Sequence, residues 1–592
     1  MKVISLRSGT LALAVATLSS TFSCKDYLDV QPLSTVDTDY VFSSVSGANS
    51  ALTAAYDPLS GDAGYGQRLS AYYPYDSDDM QVSGGSTVDA GRRGIARYLL
   101  DPNNTELLNP WNSLYQGVER ANVCIFNIPK SPLYNGGTPV EKATMRDLYG
   151  QALTLRAQYL FELIRNWGDV PAPFLPASET PDLRLPNADR DATYERLLAD
   201  LDTAAKYVPW RSQATTSDEH LTKGAVKGLK ARIALYRGGF SLRADGTVKR
   251  GADYQTYYTI ARNECSDIIQ SGEHGLIPNF ETLFRNVTAL RVDRTEIMFE
   301  VANGGSTGNS DSKLGYYTGP KLDQASRYGQ ANPGVNVLPN YFYAFDTLDT
   351  RRDVSITYYS VGFNNLKTPT TLIGLTSGKF RRDWRMPLLP GQSQYLGFNW
   401  PLIRYADILL MFAETQNALQ GPAAAYNGLT PIDALEQVRR RAFRTAPSRV
   451  GPTPTDQAAF FIALKKERQL EFGGEGIRKY DLNRWGILGQ SLADTRDALL
   501  TLKNDSLTKP SQIYYKQVGE EIQVTSFYKP KPAVAPPGFK ADKKDITNWL
   551  RSISVAAAGY VGSGFTPGKS ELLPIPQVVI DNNRNLVQNP NY

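Results

Sequence analysis

The chain has 592 residues, of which 64 are Lys or Arg and 59 are Asp or Glu, so its formal charge is only +5. So small a charge on so long a chain leaves no electrostatic footprint for nucleic acid. The apolar fraction of 41% is typical of a globular protein and excludes wholesale disorder. Two histidines and three cysteines are too few for an ordinary zinc site, and we predict no metal and no cofactor. Cys124 and Cys265 could either pair or remain buried thiols.

Residues 1–23 have the pattern of a secretory signal peptide. After a basic start, residues 11–16 are apolar, and small or polar residues then lead to Cys24. This apolar run is too short to cross a bilayer as a transmembrane helix. The cysteine stands where a bacterial lipoprotein signal places the residue that becomes the lipidated N-terminus. We therefore predict that Cys24 carries acyl chains such as palmitate; the alternative is an ordinary cleaved signal.

A polar segment with one proline, residues 24–40, predicts an extended tether. Beyond it the sequence predicts a helical scaffold over about 41–295 and 400–500, because apolar residues recur at spacings of three and four. The stretches with this spacing are 111–122, 152–163, 194–207, 222–236, 403–419, 432–443 and 455–472. Helices stacked in this way favour an α-solenoid, although no strict 34-residue repeat is present.

The middle of the chain has a different character. Residues 296–301 alternate like a short strand, and Gly, Ser, Asn and Asp dominate from 304 to 334. We therefore predict a loop-rich insertion over about 300–400, of a length that is usually functional. Residues 500–592 are predicted to be irregular. The expected fold is one mainly α domain over 41–592, with long irregular loops and a few short strands.

Three stretches of sequence carry a family pattern. They read NWPLIRYADILLMFAETQNALQG from Asn399, KERQLEFGGEGIRKYDLNRWG from Lys466 and PIPQVVIDNNRNLVQNPNY at the end. The opening CKDYLD from Cys24 and the DTRR turn from Asp349 fit the same pattern. Together these motifs resemble the SusD/RagB family of surface lipoproteins from Bacteroidetes-type bacteria, and the resemblance runs from residue 24 to 592.

The resemblance implies a tetratricopeptide-like scaffold and a role in nutrient capture. Family members partner a SusC-type TonB-dependent transporter and capture nutrients, usually glycans. We accordingly expect a lipid-anchored protein on the exterior of the outer membrane that binds oligosaccharides and delivers them to such a transporter. Two alternatives stay open, namely the same architecture with peptides as cargo and a helical-repeat scaffold for other surface proteins.

Glycan capture needs aromatic faces for sugar C–H groups, with amides or carboxylates nearby for the hydroxyls. In the family such groups lie on loops of the N-terminal part and of the mid-chain insertion. The candidates of this kind are Tyr72, Tyr73, Tyr75, Asp76 and Asp78, then Tyr316, Tyr317, Tyr328 and Asn332, and finally Trp384. Each tyrosine could equally pack in the core or contact the transporter. The acidic residues could also bind calcium or form a solvated turn.

The catalytic patterns in the chain fail on their context. Residues 304–308 match the G-x-S-x-G motif, but both histidines precede Ser306 and no helix is predicted to follow. The charged residues between 467 and 484 alternate in sign, which we interpret as a structural ion-pair network rather than a catalytic carboxylate cluster. Arg404 and Asp407 have the spacing of a pair on one helix face. We predict a binding protein and not an enzyme, with a glycoside hydrolase that uses two carboxylates as the alternative.

Overall fold

Helices dominate the architecture of this protein. The computed structural model describes residues 38–83, 89–214, 219–539 and 546–592. The helices before the mid-chain strands are α1 (Thr38–Phe42), α2 (Val45–Tyr56), α3 (Arg92–Ala96), α4 (Leu108–Asn127), α5 (Pro132–Gly136), α6 (Pro139–Trp167), α7 (Arg190–Tyr207), α8 (Lys223–Arg237), α9 (Tyr254–Ser271) and α10 (Phe280–Thr288). Those that follow are α11 (Pro339–Ala344), α12 (Arg352–Ser355), α13 (Tyr405–Gln420), α14 (Pro431–Ala442), α15 (Gln457–Phe472), α16 (Arg478–Arg484), α17 (Leu488–Lys503), α18 (Val555–Gly559) and α19 (Gln577–Asn582).

The long helices form one continuous array. In the order α2, α4, α6, α7, α8, α9 and α13, each helix packs on the next, and α14 and α15 then pack on α13. Close approach between α4 and α6 requires a glycine, because a Cβ on Gly117 would lie 2.2 Å from the ring of Tyr159. This stacking confirms the predicted helical-repeat architecture. Among the described residues, no helix combines the length and the apolar character needed to cross a membrane.

Local sequence signals set the ends of the longest helix. Thr138 caps the N-terminus of α6 in a capping box with Glu141, and Pro139 occupies the first turn. Gly168 ends the helix with a φ of 76°, a backbone conformation that favours glycine. The helix predicted over 152–163 is therefore part of a much longer one that begins at Pro139.

Short strands form small sheets beside the helical array. They are β1 (Met80–Val82), β2 (Ser241–Leu242), β3 (Val248–Lys249), β4 (Ile297–Val301), β5 (Val335–Val337), β6 (Ile356–Thr357), β7 (Tyr359–Val361), β8 (Lys367–Pro369), β9 (Thr376–Ser377), β10 (Trp400–Arg404), β11 (Gln512–Val518), β12 (Glu521–Val524) and β13 (Ile546–Asn548). The largest sheet has the order β1-β5-β9-β6, so it joins the segment after Tyr72 to the mid-chain insertion. This pairing brings the two predicted ligand-binding regions to one side of the molecule.

Four sequence-based expectations about local structure are corrected or resolved. Residues 38–40 belong to α1 rather than to an extended tether. The region predicted as irregular after residue 500 contains a three-stranded sheet in the order β12-β11-β13. The predicted helix from 403 begins only at Tyr405, because the preceding residues form β10, which pairs antiparallel with β4. Cys124 and Cys265 are both buried, unpaired thiols.

Arg404 ends strand β10 and is the centre of a buried ionic network. Its guanidinium donates to Glu296 at 2.6 Å, to Glu475 at 2.6 Å and to Glu471 at 3.1 Å. Burial alone would raise the pKa of Glu471, but the guanidinium groups of Arg441, Arg404 and a third arginine outweigh it and lower that pKa to about 2. Arg404 therefore does not pair with a helical neighbour as predicted but joins the strand to α15.

A second group of buried charges joins α13 to α15 and α16. Arg468 donates to Asp407 at 2.8 Å and to Asp481 at 2.7 Å. Arg484 contacts the same Asp481 at 2.7 Å and also binds Glu414. These carboxylates are buried and engaged by guanidinium groups, so the interpretation as a structural network is confirmed, and a catalytic cluster at these residues is excluded.

Candidate functional site

Residues from the two predicted ligand-binding regions meet at one place on the surface. The ring of Tyr72 lies 6.3 Å from that of Tyr317, and the ring of Tyr317 lies 5.1 Å from that of Tyr316, both in edge-to-face arrangements. The Asn332 amide lies 3.5 Å from the Tyr316 hydroxyl, and the Arg92 guanidinium lies 5.2 Å from the centre of the Tyr72 ring. We call these five residues the tyrosine cluster.

Backbone hydrogen bonds hold the loop side of the tyrosine cluster in place. The backbone N–H of Asn332 donates to the Tyr316 carbonyl at 3.0 Å, and the backbone N–H of Gly334 donates to the Tyr317 carbonyl at 2.8 Å. A Cβ on Gly334 would lie 2.5 Å from a guanidinium nitrogen of Arg92, so only glycine leaves room for this arginine. The long Gly- and Asn-rich loop is therefore a fixed platform at this point.

Only a small part of the tyrosine cluster is accessible to solvent, and polar groups surround it. Tyr72 and Tyr316 are only 9% and 7% exposed, whereas Tyr317 and Arg92 are half-buried and Asn332 is exposed. Burial raises the pKa of Tyr72 well above its ordinary value, so this phenol stays neutral at physiological pH. A ring, an amide and a guanidinium thus face the solvent together, a combination that can contact sugar C–H groups and bind sugar hydroxyls.

Tyr73 and Tyr75 do not belong to the tyrosine cluster, and their prediction as ligand-binding residues is wrong. Both rings are buried, with 1% and 2% exposure. The Tyr73 hydroxyl donates to the Glu106 carbonyl at 2.6 Å, and its ring packs edge-on against Trp167. The Tyr75 hydroxyl donates to the Gly474 carbonyl at 3.1 Å. Their side chains hold the segment after Tyr72 against the core and are not available to a ligand.

The acidic residues of this segment are engaged within the protein. Asp76 and Asp79 are buried and accept hydrogen bonds from the backbone N–H groups of Val82 and Met80. Burial raises the pKa of each of these two carboxyl groups to about 6. Asp78 binds the guanidinium of Arg478 at 2.6 and 2.7 Å. Asp76 and Asp78 are therefore structural, and no group of His, Cys, Asp and Glu in the described part of the chain is arranged to hold a metal ion.

Two further predicted aromatic residues lie apart from the tyrosine cluster. Trp384 is 9% exposed, and the guanidinium groups of Arg285 and Arg381 each lie 3.9 Å from its ring. Tyr328 is half-buried, with Arg327 4.8 Å from its ring. Trp384 also packs in the main apolar core, and Tyr328 packs against a separate small cluster that includes Leu322, which argues against a shared ligand surface with Tyr317.

Arg92 is the one residue of the tyrosine cluster that the sequence analysis did not identify. Arg92 stands on α3 with no motif or spacing that distinguishes it from other arginines, so only the three-dimensional contact with Tyr72 reveals it. Cys24, predicted to carry the lipid, lies outside the described residues.

Comparison with known proteins agrees with this architecture. The model of the SusD family matches residues 295–592, and a model described as "Starch-binding associating with outer membrane" matches residues 26–235. SusD-like protein P25 of Formosa agariphila is 23% identical over 513 residues, which cover 79% of this chain and 88% of that protein.

Solved structures share the fold. A SusD homolog from Bacteroides thetaiotaomicron superposes with a TM-score of 0.76 at 22% identity, covering 94% of this chain and 98% of that one. A laminarin-binding SusD-like protein gives a TM-score of 0.63 at 23% identity, with 92% and 99% coverage. SusD-like family members are glycan-binding proteins and not enzymes, which supports the prediction of a binding protein. The helical array, the motifs and the match over the C-terminal half show that this chain belongs to the SusD family.

Proposed function

We propose that the protein captures glycans at the tyrosine cluster and delivers them to a SusC-type TonB-dependent transporter. Acyl chains on Cys24 anchor it to the outer membrane, with the cluster facing the cell exterior. One family description that matches the chain refers to starch binding and association with the outer membrane, and one structural relative is named for laminarin binding. Both names support a polysaccharide as the cargo.

The observation that carries this proposal is the meeting of Tyr72 with Tyr317 and Asn332. An aromatic contact contributes about 0.5–1.5 kcal/mol, and each hydrogen bond from the amide or guanidinium contributes a similar amount. One accessible ring and two polar groups therefore supply about 2–4 kcal/mol, which corresponds to millimolar binding without further contacts. Weak binding suits a receptor that must release its cargo to a transporter.

The test is isothermal titration of the purified protein against a panel of starch, laminarin, xylan, mannan and peptide mixtures. We expect one polysaccharide to bind, and we expect Tyr317→Ala to weaken that binding about two- to tenfold, because the accessible ring is lost. Tyr426→Ala is the matched control, since Tyr426 is also half-buried and hydrogen-bonds to Asn263 on the distant helix α9. Binding of peptides alone, or of nothing in the panel, would contradict the proposal.

The anchor and the partner need separate experiments. Labelling of cells with a palmitate analogue should mark the wild-type protein and leave Cys24→Ser unlabelled. A TonB-dependent transporter should copurify with the wild-type protein after detergent extraction of outer membranes. An unlabelled wild-type protein free in the periplasm would contradict the anchor, and purification without any transporter would contradict the partner.

A further inference from the structure

A polar cleft of about 720 Å³ lies between helix α4 and the turn that follows α2. Its walls are the first half of α4 and the turn after α2, and residues 308–309 of the mid-chain loop form another side. Arg68 also lines the cleft and begins the short helix that ends at Tyr72. Arg68 and Tyr72 are the first and last residues of this five-residue π-helix, which is about one turn, so the cleft and the cluster adjoin along the backbone.

The α4 wall of the cleft carries three side-chain amides with no evident internal role. Asn109, Asn112 and Gln116 are spaced by three and four residues, which places them on one face of the helix. All three are exposed, and their amide groups have no hydrogen-bond partner among the described residues. Each amide offers two N–H donors and a carbonyl acceptor. The wall therefore presents alternating donors and acceptors, as vicinal hydroxyl groups require.

The charges around the cleft are already neutralised within the protein. Arg120 binds Asp57 at 2.8 Å, and Arg68 binds Glu106 at 2.7 Å. A lysine behind the cleft holds Asp62 at 2.7 Å. An anionic ligand would have to break one of these pairs, whereas a neutral ligand with many hydroxyl groups can use the free amides without doing so.

We infer that this amide cleft, defined by Asn109, Asn112 and Gln116, is a second carbohydrate subsite. It binds the hydroxyl groups of a neutral oligosaccharide whose other end lies on the tyrosine cluster. The described residues that line it include no aromatic ring, so the cleft contributes by hydrogen bonding rather than by stacking. The protein therefore selects oligosaccharides by chain length, because only longer ones reach both the amide cleft and the tyrosine cluster. This inference rests on the proposed function.

The test uses the trisaccharide and the hexasaccharide of the polysaccharide that binds best in the panel described above. Wild-type protein and the double variant N112A/Q116A are titrated with both. Loss of two amides should weaken hexasaccharide binding about tenfold and change trisaccharide binding less than twofold. The single variant Gln255→Ala is the control, because Gln255 is an exposed glutamine on α9, outside the cleft. Thermal melts of all variants should coincide, since the amides are exposed.

The outcomes separate the two proposals. If the wild type binds the hexasaccharide and the double variant binds it equally well, the amide cleft is not a subsite, although glycan capture stands. An equal loss for both oligosaccharides would also overturn the inference, because chain length would then play no part. If no polysaccharide binds the wild type, glycan capture itself fails, and the subsite fails with it.

Discussion

Removing the negative charge of Glu471 should destabilise the protein by about 3 kcal/mol. This carboxylate is completely buried and accepts hydrogen bonds from Arg351 at 3.2 Å, from Arg404 at 3.1 Å and from Arg441. These interactions lower its pKa from 4.5 to about 2, and each pKa unit corresponds to about 1.4 kcal/mol. The result agrees with the roughly 3–5 kcal/mol expected when one partner of a buried ion pair is removed.

The assay is urea denaturation of Glu471→Gln and of the wild type between pH 7 and pH 3. Because the folded-state pKa is lowered, the stabilisation is complete above the unfolded value of 4.5 and is lost as the pH falls toward 2. The difference between the two proteins should therefore shrink below pH 4.5. Glu436→Gln, which breaks a partly exposed pair with Arg440, should cost less than about 0.5 kcal/mol. A Glu471→Gln variant as stable as this control, or a difference that does not change with pH, would refute the reasoning.

Two glycines and one buried carboxyl group carry the remaining predictions. Gly334→Ala should push the Arg92 guanidinium off the Tyr72 ring and weaken polysaccharide binding a few-fold by titration, whereas unchanged binding would rule out a role for the arginine. Gly117→Ala should cost about 1–3 kcal/mol in urea denaturation by overpacking, and wild-type stability would contradict the close helix contact. Burial raises the pKa of Asp76 from 3.8 to about 6, so the folded state takes up a proton as the pH falls through this window and gains up to about 3 kcal/mol. Asp76→Asn should remove this contribution and leave that of Asp79, whose pKa burial also raises to about 6, so the gain in pH-dependent unfolding should shrink by up to about 3 kcal/mol. A variant that keeps the full wild-type gain would show that Asp76 does not titrate in this window.

Long helices with clear periodicity and caps could be predicted from the sequence, but short buried elements could not. The prediction for helix α6 covered only residues 152–163, although a capping box, a proline in the first turn and a terminal glycine mark its full extent by local signals. Strand β10 is a short apolar run directly before helix α13, and periodicity alone does not separate a buried strand from the first turn of a helix. Its identity depends on pairing with β4, which is about a hundred residues earlier in the sequence.

The side chains of the candidate site were harder to predict from the sequence than the helices. The sequence does not distinguish Tyr72 from the two tyrosines that follow it, yet only Tyr72 faces the mid-chain loop. Tyr73 and Tyr75 point into the core, where their hydroxyls donate to the carbonyls of Glu106 and Gly474. The meeting of Tyr72 with Tyr317 depends on the pairing of β1 with β5, which no local pattern specifies. Sequence reasoning could therefore identify two regions that meet in the structure but not the residues through which they meet.

The most direct test of glycan capture is a structure of the protein with the hexasaccharide of its best-binding polysaccharide. We predict that a sugar ring lies in van der Waals contact with Tyr317, with hydroxyl groups bound by Asn332 and Arg92. A sugar bound elsewhere on the protein, with the tyrosine cluster unoccupied, would contradict the account.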